Sequence, residues 1–262
     1  MMNRSLIVAN WKMHLNVQQA SLYVHHFNKV LNYHRSVEVV LAPTLLALQP
    51  LSLEVDRRKI HLAAQNAYDK DEGPYTGEVS FTMLSGLVDY AIIGHSERRI
   101  YFSESLELIR DKVTAAIRNG IKPILCIGES KPERTAGETK RVIHDQLMSA
   151  ISNLTAEEVK NVTVAYEPVW AISTFGGENA EPNEIQKVID YIRYQISELY
   201  GAKVSNDVRV LYGGSVDDDS VGGYLALDGC DGTLVGAASL DYQSFASIID
   251  KAFLVYQSKK KD

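Results

Sequence analysis

The sequence of 262 residues predicts an α/β protein folded as one (β/α)8 barrel domain over residues 1–262. Two observations carry that expectation. Short apolar runs alternate with helical periodicity along the whole chain, the pattern of βα units around a parallel sheet. Eight such runs occur, one about every 30 residues, with no Pro- or Ser-rich linker between them, which suits a closed barrel. An open, doubly wound sheet is the alternative the same alternation allows. The composition agrees with a sizeable core: 45% hydrophobic and 23% charged excludes disordered and collagen-like chains.

The expected strands are 6–9, 37–42, 60–64, 90–94, 123–127, 163–166, 208–212 and 233–235. The first is only four apolar residues, far too short for a signal-peptide core or a membrane span, so the chain reads as soluble and unprocessed. Between the fourth and fifth runs, Leu106, Ile109, Val113 and Ile117 recur at i, i+3 and i+4 and give a helix one face to lay on the sheet. Thr155 and Glu158 fit a capping box ahead of the sixth run. Pro182 suits a first helical position, and Ile185, Val188, Ile189, Ile192, Ile196 and Leu199 continue an apolar stripe. After the last run, Phe245, Ile248, Ile249, Ala252 and Phe253 form another. Lys259, Lys260 and Lys261 are the only basic run, and 259–262 reads as a frayed tail.

Twenty-seven Lys and Arg against 33 Asp and Glu give a net charge of −6, which argues against a nucleic-acid partner. Cys126 and Cys230 are the only cysteines. They form no metal-ligand spacing or disulfide framework, so a reducing cytoplasm is the simplest compartment and no metal is expected.

A barrel carries its chemistry just after the strand ends. There the sequence places Asn10-Trp11-Lys12, His95-Ser96-Glu97, Glu167-Pro168, Gly213-Gly214-Ser215 and Gly236-Ala237. A Lys, a His and a carboxylate from separate strands would converge on one mouth beside two turns of small residues. Backbone N–H groups in such turns bind phosphate, so the constellation reads as an anion pocket holding an acid/base pair.

These residues resemble the triosephosphate isomerase family. The likeness runs through Ala9-Asn10-Trp11-Lys12, Gly94-His95-Ser96-Glu97-Arg98-Arg99, Cys126-Ile127-Gly128-Glu129, Tyr166-Glu167-Pro168-Val169-Trp170-Ala171-Ile172, Tyr212-Gly213-Gly214-Ser215-Val216 and Leu234-Val235-Gly236. It implies an isomerase of D-glyceraldehyde 3-phosphate and dihydroxyacetone phosphate that needs no cofactor. Glu167 would be the base and His95 a neutral electrophile at a helix N-terminus. Lys12 would offset phosphate and oxyanion charge, Asn10 would add a hydrogen bond, and Glu97 would hold Lys12. Ser173, Ser215, Gly236 and Ala237, with Asn10 and Lys12, would bind the phosphate. A four-carbon ketose phosphate as substrate, or a barrel that binds phosphorylated metabolites without turnover, are the alternatives. A Schiff-base aldolase would need a desolvated lysine at a late strand end, and expected strands five to seven end without one.

The lid implied by the resemblance spans Pro168, Val169, Trp170, Ala171 and Ile172, then Ser173, Thr174, Phe175, Gly176 and Gly177, and continues through Glu178 and Asn179 to Glu181. It departs from the family pattern after Ile172 and is about two residues longer. The Gly pair is expected to loosen the hinge and Phe175 to pack differently. Ala237 replaces a usual Gly, which would strain a left-handed backbone. Gln65, Tyr68, Thr76, Gly77 and Glu78 lie in a stretch similar to the family's dimer loop, where Thr76 would reach a neighbouring subunit's pocket. A homodimer is expected.

Overall fold

In the computed structural model, which describes residues 4–177 and 180–260, the eight strands pair in chain order, all parallel, and close into a barrel. They are β1 (Ser5–Asn10), β2 (Val37–Ala42), β3 (Ile60–Ala64), β4 (Tyr90–Ile93), β5 (Lys122–Ile127), β6 (Thr163–Tyr166), β7 (Arg209–Tyr212) and β8 (Gly232–Val235). Glu178 and Asn179 of the expected lid, Lys261 and Asp262 of the expected tail, and Met1 and Met2 lie outside the described residues. The strands depart from expectation only at their edges. Gly94 drops out of β4 because its φ of +71° turns the backbone left-handed.

Leu6, Val8, Val40, Ile92, Ile124 and Leu211 fill the barrel interior. Their strand neighbours, such as Ile7, Val39, Ile93 and Leu125, pack outward in a separate layer against the helices. Burial on both faces is why these strands read as continuous apolar runs. The interior is closed at the N-terminal end of the strands by Glu38, which pairs with Arg209 at 2.9 Å and accepts from the Tyr90 hydroxyl. Burial pulls the Glu38 carboxyl up, but Arg209 and Tyr90 hold it below its ordinary value.

The helices are α1 (Val17–Val30), α2 (Leu45–Glu54), α3 (Phe81–Leu84), α4 (Ser96–Tyr101), α5 (Leu106–Arg118), α6 (Lys131–Thr135), α7 (Thr139–Ile151), α8 (Ala156–Val159), α9 (Pro182–Tyr200), α10 (Ala202–Asp207), α11 (Val221–Leu225) and α12 (Tyr242–Lys259). Thr155 and Glu158 form the capping box of α8, and Pro182 opens α9. The apolar stripe of α9 is buried at Ile185, Ile189, Ile192 and Ile196, but Leu199 is exposed, and the neighbouring Tyr200 packs against the core instead, its hydroxyl donating to the Leu154 carbonyl at 3.0 Å. The last helix extends to Lys259, one residue into the expected tail, and the Lys259 ammonium donates to the Leu227 carbonyl at 2.7 Å.

Closure joins β1 to β8 in parallel, with Leu6 opposite Gly232. The seam is tight: a Cβ on Gly232 would lie 1.9 Å from the Leu6 carbonyl oxygen. The seam leaves Asn10 at the C-terminal end of one strand and Gly236 just past the end of the other.

Candidate active site

Each sequence-predicted polar group follows a strand at the same end of the barrel. Asn10 ends β1 buried, and its Oδ1 accepts from the Lys12 N–H at 3.1 Å. Lys12 itself has a φ of +50°, a conformation that costs a non-glycine residue about 1–3 kcal/mol and persists only when its surroundings hold it. Gln65 supplies that hold: its amide donates to the Lys12 carbonyl at 2.8 Å and to the Ala42 carbonyl at 2.9 Å. Gln65, grouped by sequence with the dimer loop, therefore turns inward to its own chain.

The Lys12 ammonium meets Glu97 Oε1 at 2.6 Å. Burial pulls the Glu97 carboxyl up, while the Lys12 hydrogen bond and the Lys12 charge hold it below the usual carboxylate range. Thr174 joins this pair. Its hydroxyl lies 3.2 Å from Lys12 Nζ and 3.2 Å from Glu97 Oε1, accepting from the ammonium and donating to the carboxylate.

His95 is the N-cap of α4, and its Nδ1 accepts from the Glu97 N–H at 3.2 Å. A ring nitrogen that accepts carries no proton, so the neutral ring holds its proton on Nε2. That atom lies 3.2 Å from Glu167 Oε1. Glu167 is 2% exposed, and the Ser96 N–H donates to its Oε2 at 3.3 Å. Two glycines leave room for it. A Cβ on Gly128 would lie 1.8 Å from the Glu167 carbonyl oxygen, and one on Gly213 would lie 2.8 Å from Glu167 Cγ. Beneath it, the Cys126 thiol is pushed well up by burial and then by the Glu167 charge, which keeps it protonated and unfit as a nucleophile.

A cavity of about 260 Å³ opens over these groups, lined by Asn10, Lys12, His95, Glu167, Ser173 and Ser215, with Gly236 and Ala237 on its far wall. The Ser215 N–H and hydroxyl both donate to the Ala171 carbonyl, at 3.0 and 2.8 Å, so the lid holds donors expected for phosphate. Ala237 opens a short 3-10 turn, Ala237–Leu240, and is absent from the residues with positive φ. The strain that a left-handed position would have imposed there does not arise. Asp217 also borders the cavity, but its carboxylate accepts from the Ser220 N–H and hydroxyl at 2.8 and 2.7 Å.

The lid leaves β6 through Pro168 and forms two 3-10 turns, Val169–Ala171 and Ser173–Phe175. Trp170 anchors the first, donating from Nε1 to Glu129 Oε1 at 3.0 Å with the Arg134 guanidinium over its ring at 4.1 Å. The Glu129 carboxylate also accepts from the Tyr166 hydroxyl, and burial raises it. Gly176 and Gly177 have φ of +139° and +61°, so both positions favour glycine for conformational reasons. Phe175 packs its ring 5.9 Å from that of Tyr101, at the end of α4.

Within the expected dimer stretch, the Tyr68 ring lies 4.6 Å from Tyr75, and Thr76 is exposed. Gly77 and Glu78 line a second cavity of about 380 Å³ that shares Asn10, Lys12 and His95 with the first. Its rim includes Met13, 92% exposed, and Phe102, 64% exposed. Among the described residues no cluster of three His, Cys, Asp or Glu side chains could hold a metal ion, and no helix is long and apolar enough to cross a membrane.

Sequence reasoning assigned no role to Glu129, the Gln65 clamp or the Ser96 amide. Glu129 had a signal, since it follows β5 within the Cys126–Glu129 segment. The Gln65 clamp and the Ser96 amide depend on long-range pairing that residue spacing does not encode.

A family model described as triosephosphate isomerase matches residues 5–252. The chain is 41% identical over 249 residues to a triosephosphate isomerase of Carboxydothermus hydrogenoformans, covering 95% of this chain and 98% of that protein. It is 41% identical over 250 residues to one of Caldanaerobacter subterraneus, covering 95% and 100%. With that of Symbiobacterium thermophilum it shares 42% over 251 residues, covering 94% and 96%.

Proposed function

The chain belongs to the triosephosphate isomerase family and interconverts D-glyceraldehyde 3-phosphate and dihydroxyacetone phosphate, and we propose that Glu167, His95 and Lys12 carry the reaction. The observation that supports this assignment most is the direct meeting of Glu167 with His95 Nε2 at 3.2 Å in the cavity that Lys12 also lines. Enolisation of a hydroxy-carbonyl compound needs a base, a hydrogen-bond donor and fixed positive charge. Glu167 removes a proton from the carbon beside the carbonyl, and the electron pair moves onto the carbonyl oxygen. His95 Nε2–H donates to that oxygen, and Lys12 stabilises the enediolate charge. His95 then relays a proton between the two oxygens, and Glu167 returns its proton to the neighbouring carbon.

For this, Glu167 exchanges the Ser96 N–H, a long bond at 3.3 Å, for a position over the substrate. The phosphate sits at the Ser173, Ser215 and Gly236-Ala237 turns, and it takes the Ser215 donors from the Ala171 carbonyl.

The assay is isomerisation by the purified protein. kcat/KM approaches the diffusional range of about 10⁷–10⁸ M⁻¹s⁻¹, and Glu167→Gln lowers it by at least about 10²-fold. Parental activity in Glu167→Gln would overturn the assignment.

The protein acts as a homodimer in the cytoplasm. The second cavity, open beside His95 and rimmed by exposed Met13 and Phe102, supports a partner at that face. The Thr76 loop of a second copy fills it. Sedimentation velocity at working concentration gives a dimer, and a monomer with full activity would refute this.

A further inference from the structure

We propose that Thr174 is a positioning residue for Lys12, making closure of the lid and ordering of the catalytic cation a single event. The inference rests on the role given to Lys12 above. An ammonium has three protons to donate. Two are committed without substrate, one to Glu97 Oε1 at 2.6 Å and one to Thr174 Oγ1 at 3.2 Å. Thr174 completes the ring by donating to the same Glu97 oxygen at 3.2 Å. Every donor in the triangle meets an acceptor, and one proton of Lys12 remains for an anion.

The lid rests on α4 at both ends of that six-residue helix. Thr174 bonds Glu97 in its first turn, and Phe175 packs on Tyr101 at its last residue. His95 caps the same helix, so the segment that departs from the family pattern docks on the element carrying two of the site's polar side chains. When the lid lifts, Lys12 loses a partner that Glu97 alone does not replace in direction. When it seats, the ammonium is fixed before substrate charge arrives.

Lys12 meets substrate charge in the ground-state complex and the enediolate charge in the transition state, so loss of its ordering raises KM and lowers kcat. Thr174→Val keeps the shape and removes the hydroxyl. It raises KM for the triose phosphate about three- to tenfold, the scale of one partly exposed bond to a charged group, and lowers kcat by up to a similar factor. Thr174→Ser restores the hydroxyl and brings KM back to within about twofold. Lys12→Met is measured alongside. Activity indifferent to Lys12→Met would overturn the role of Lys12 itself. Dependence on Lys12 with parental KM in Thr174→Val, or a Thr174→Ser enzyme no better than Thr174→Val, would overturn the role of Thr174 alone.

Discussion

Replacing Gly128 by alanine tests whether the backbone at the end of β5 sets the position of Glu167. A Cβ built on Gly128 lies 1.8 Å from the Glu167 carbonyl oxygen and 2.6 Å from its carbonyl carbon. Ordinary contact begins at about 3.4 Å, so β5 and β6 must part by about 1.6 Å at this point. Neither side yields freely. The Glu167 N–H is bonded to the Ile127 carbonyl at 2.8 Å. Gly128 itself is held on both its polar groups by the Gln146 amide, at 2.9 and 3.1 Å. Overpacking of this size destabilises by about 1–3 kcal/mol. Misplacing a catalytic group by about 1 Å lowers rate about 10²-fold, so with Glu167 as the proposed base Gly128→Ala loses at least that much in kcat/KM while the folded fraction at 25 °C remains high. The assay pairs triose phosphate kinetics with urea denaturation of the same preparation. A folded Gly128→Ala enzyme with kcat/KM within about threefold of the parent would refute the reasoning, because the carboxylate would then tolerate a displaced backbone.

Three further substitutions have defined outcomes. Glu104 Oε1 lies 2.5 Å from both Arg98 Nε and Lys112 Nζ, with the Glu104 and Lys112 side chains 2–3% exposed; Glu104→Gln strands the buried ammonium and costs about 3–5 kcal/mol at neutral pH. Burial pulls the Glu104 carboxyl up, but Lys112 and Arg98 hold it below its ordinary value. Its stabilisation is therefore complete above the ordinary carboxylate pKa and lost as pH falls through the lower folded value; urea titrations at several pH values should show the gap between parent and variant narrowing in acid, and a constant gap would contradict this. Trp170→Phe takes a donor from buried Glu129 and lowers stability by about 1–3 kcal/mol, read by the same titration. Ala237→Gly lowers it by about 0.5–1 kcal/mol, since Ala237 carries no positive φ to relieve; a stabilised variant would show the position to be strained.

The barrel was legible because strands covered on both faces must be apolar throughout, and runs such as 37–42 stand out against amphipathic helices. Short elements were not. The five residues of α6 and of α11 span less than two turns, too few for a period to register. The groups brought to one cavity were legible where they sit next to a strand end, as Lys12, His95 and Glu167 do. Residues were illegible where their role depends on partners far along the chain: Gln65 reaches back 53 residues to Lys12, and Thr174 meets Glu97 across 77. No local pattern marks such pairs. The concern over Ala237 failed for a related reason, since residue type alone does not reveal the sign of φ.

Where β1 meets β8, the earliest and latest strands of the barrel share one hydrogen-bonded edge. Loop closure over such a separation is costly in entropy and comes late in folding, so the rest of the sheet is assembled while this edge is still open. Asn10 and Lys12 lie on one side of it and Gly236 and Ala237 on the other. An anion that engages both sides therefore acts as a staple across the last joint to form. Because it binds only the joined state, it shifts the opening equilibrium by mass action. Amide exchange along β1 and β8 should slow as inorganic phosphate is added, more than exchange in β4 and β5 on the opposite wall, which makes substrate occupancy a determinant of how long the ring stays shut.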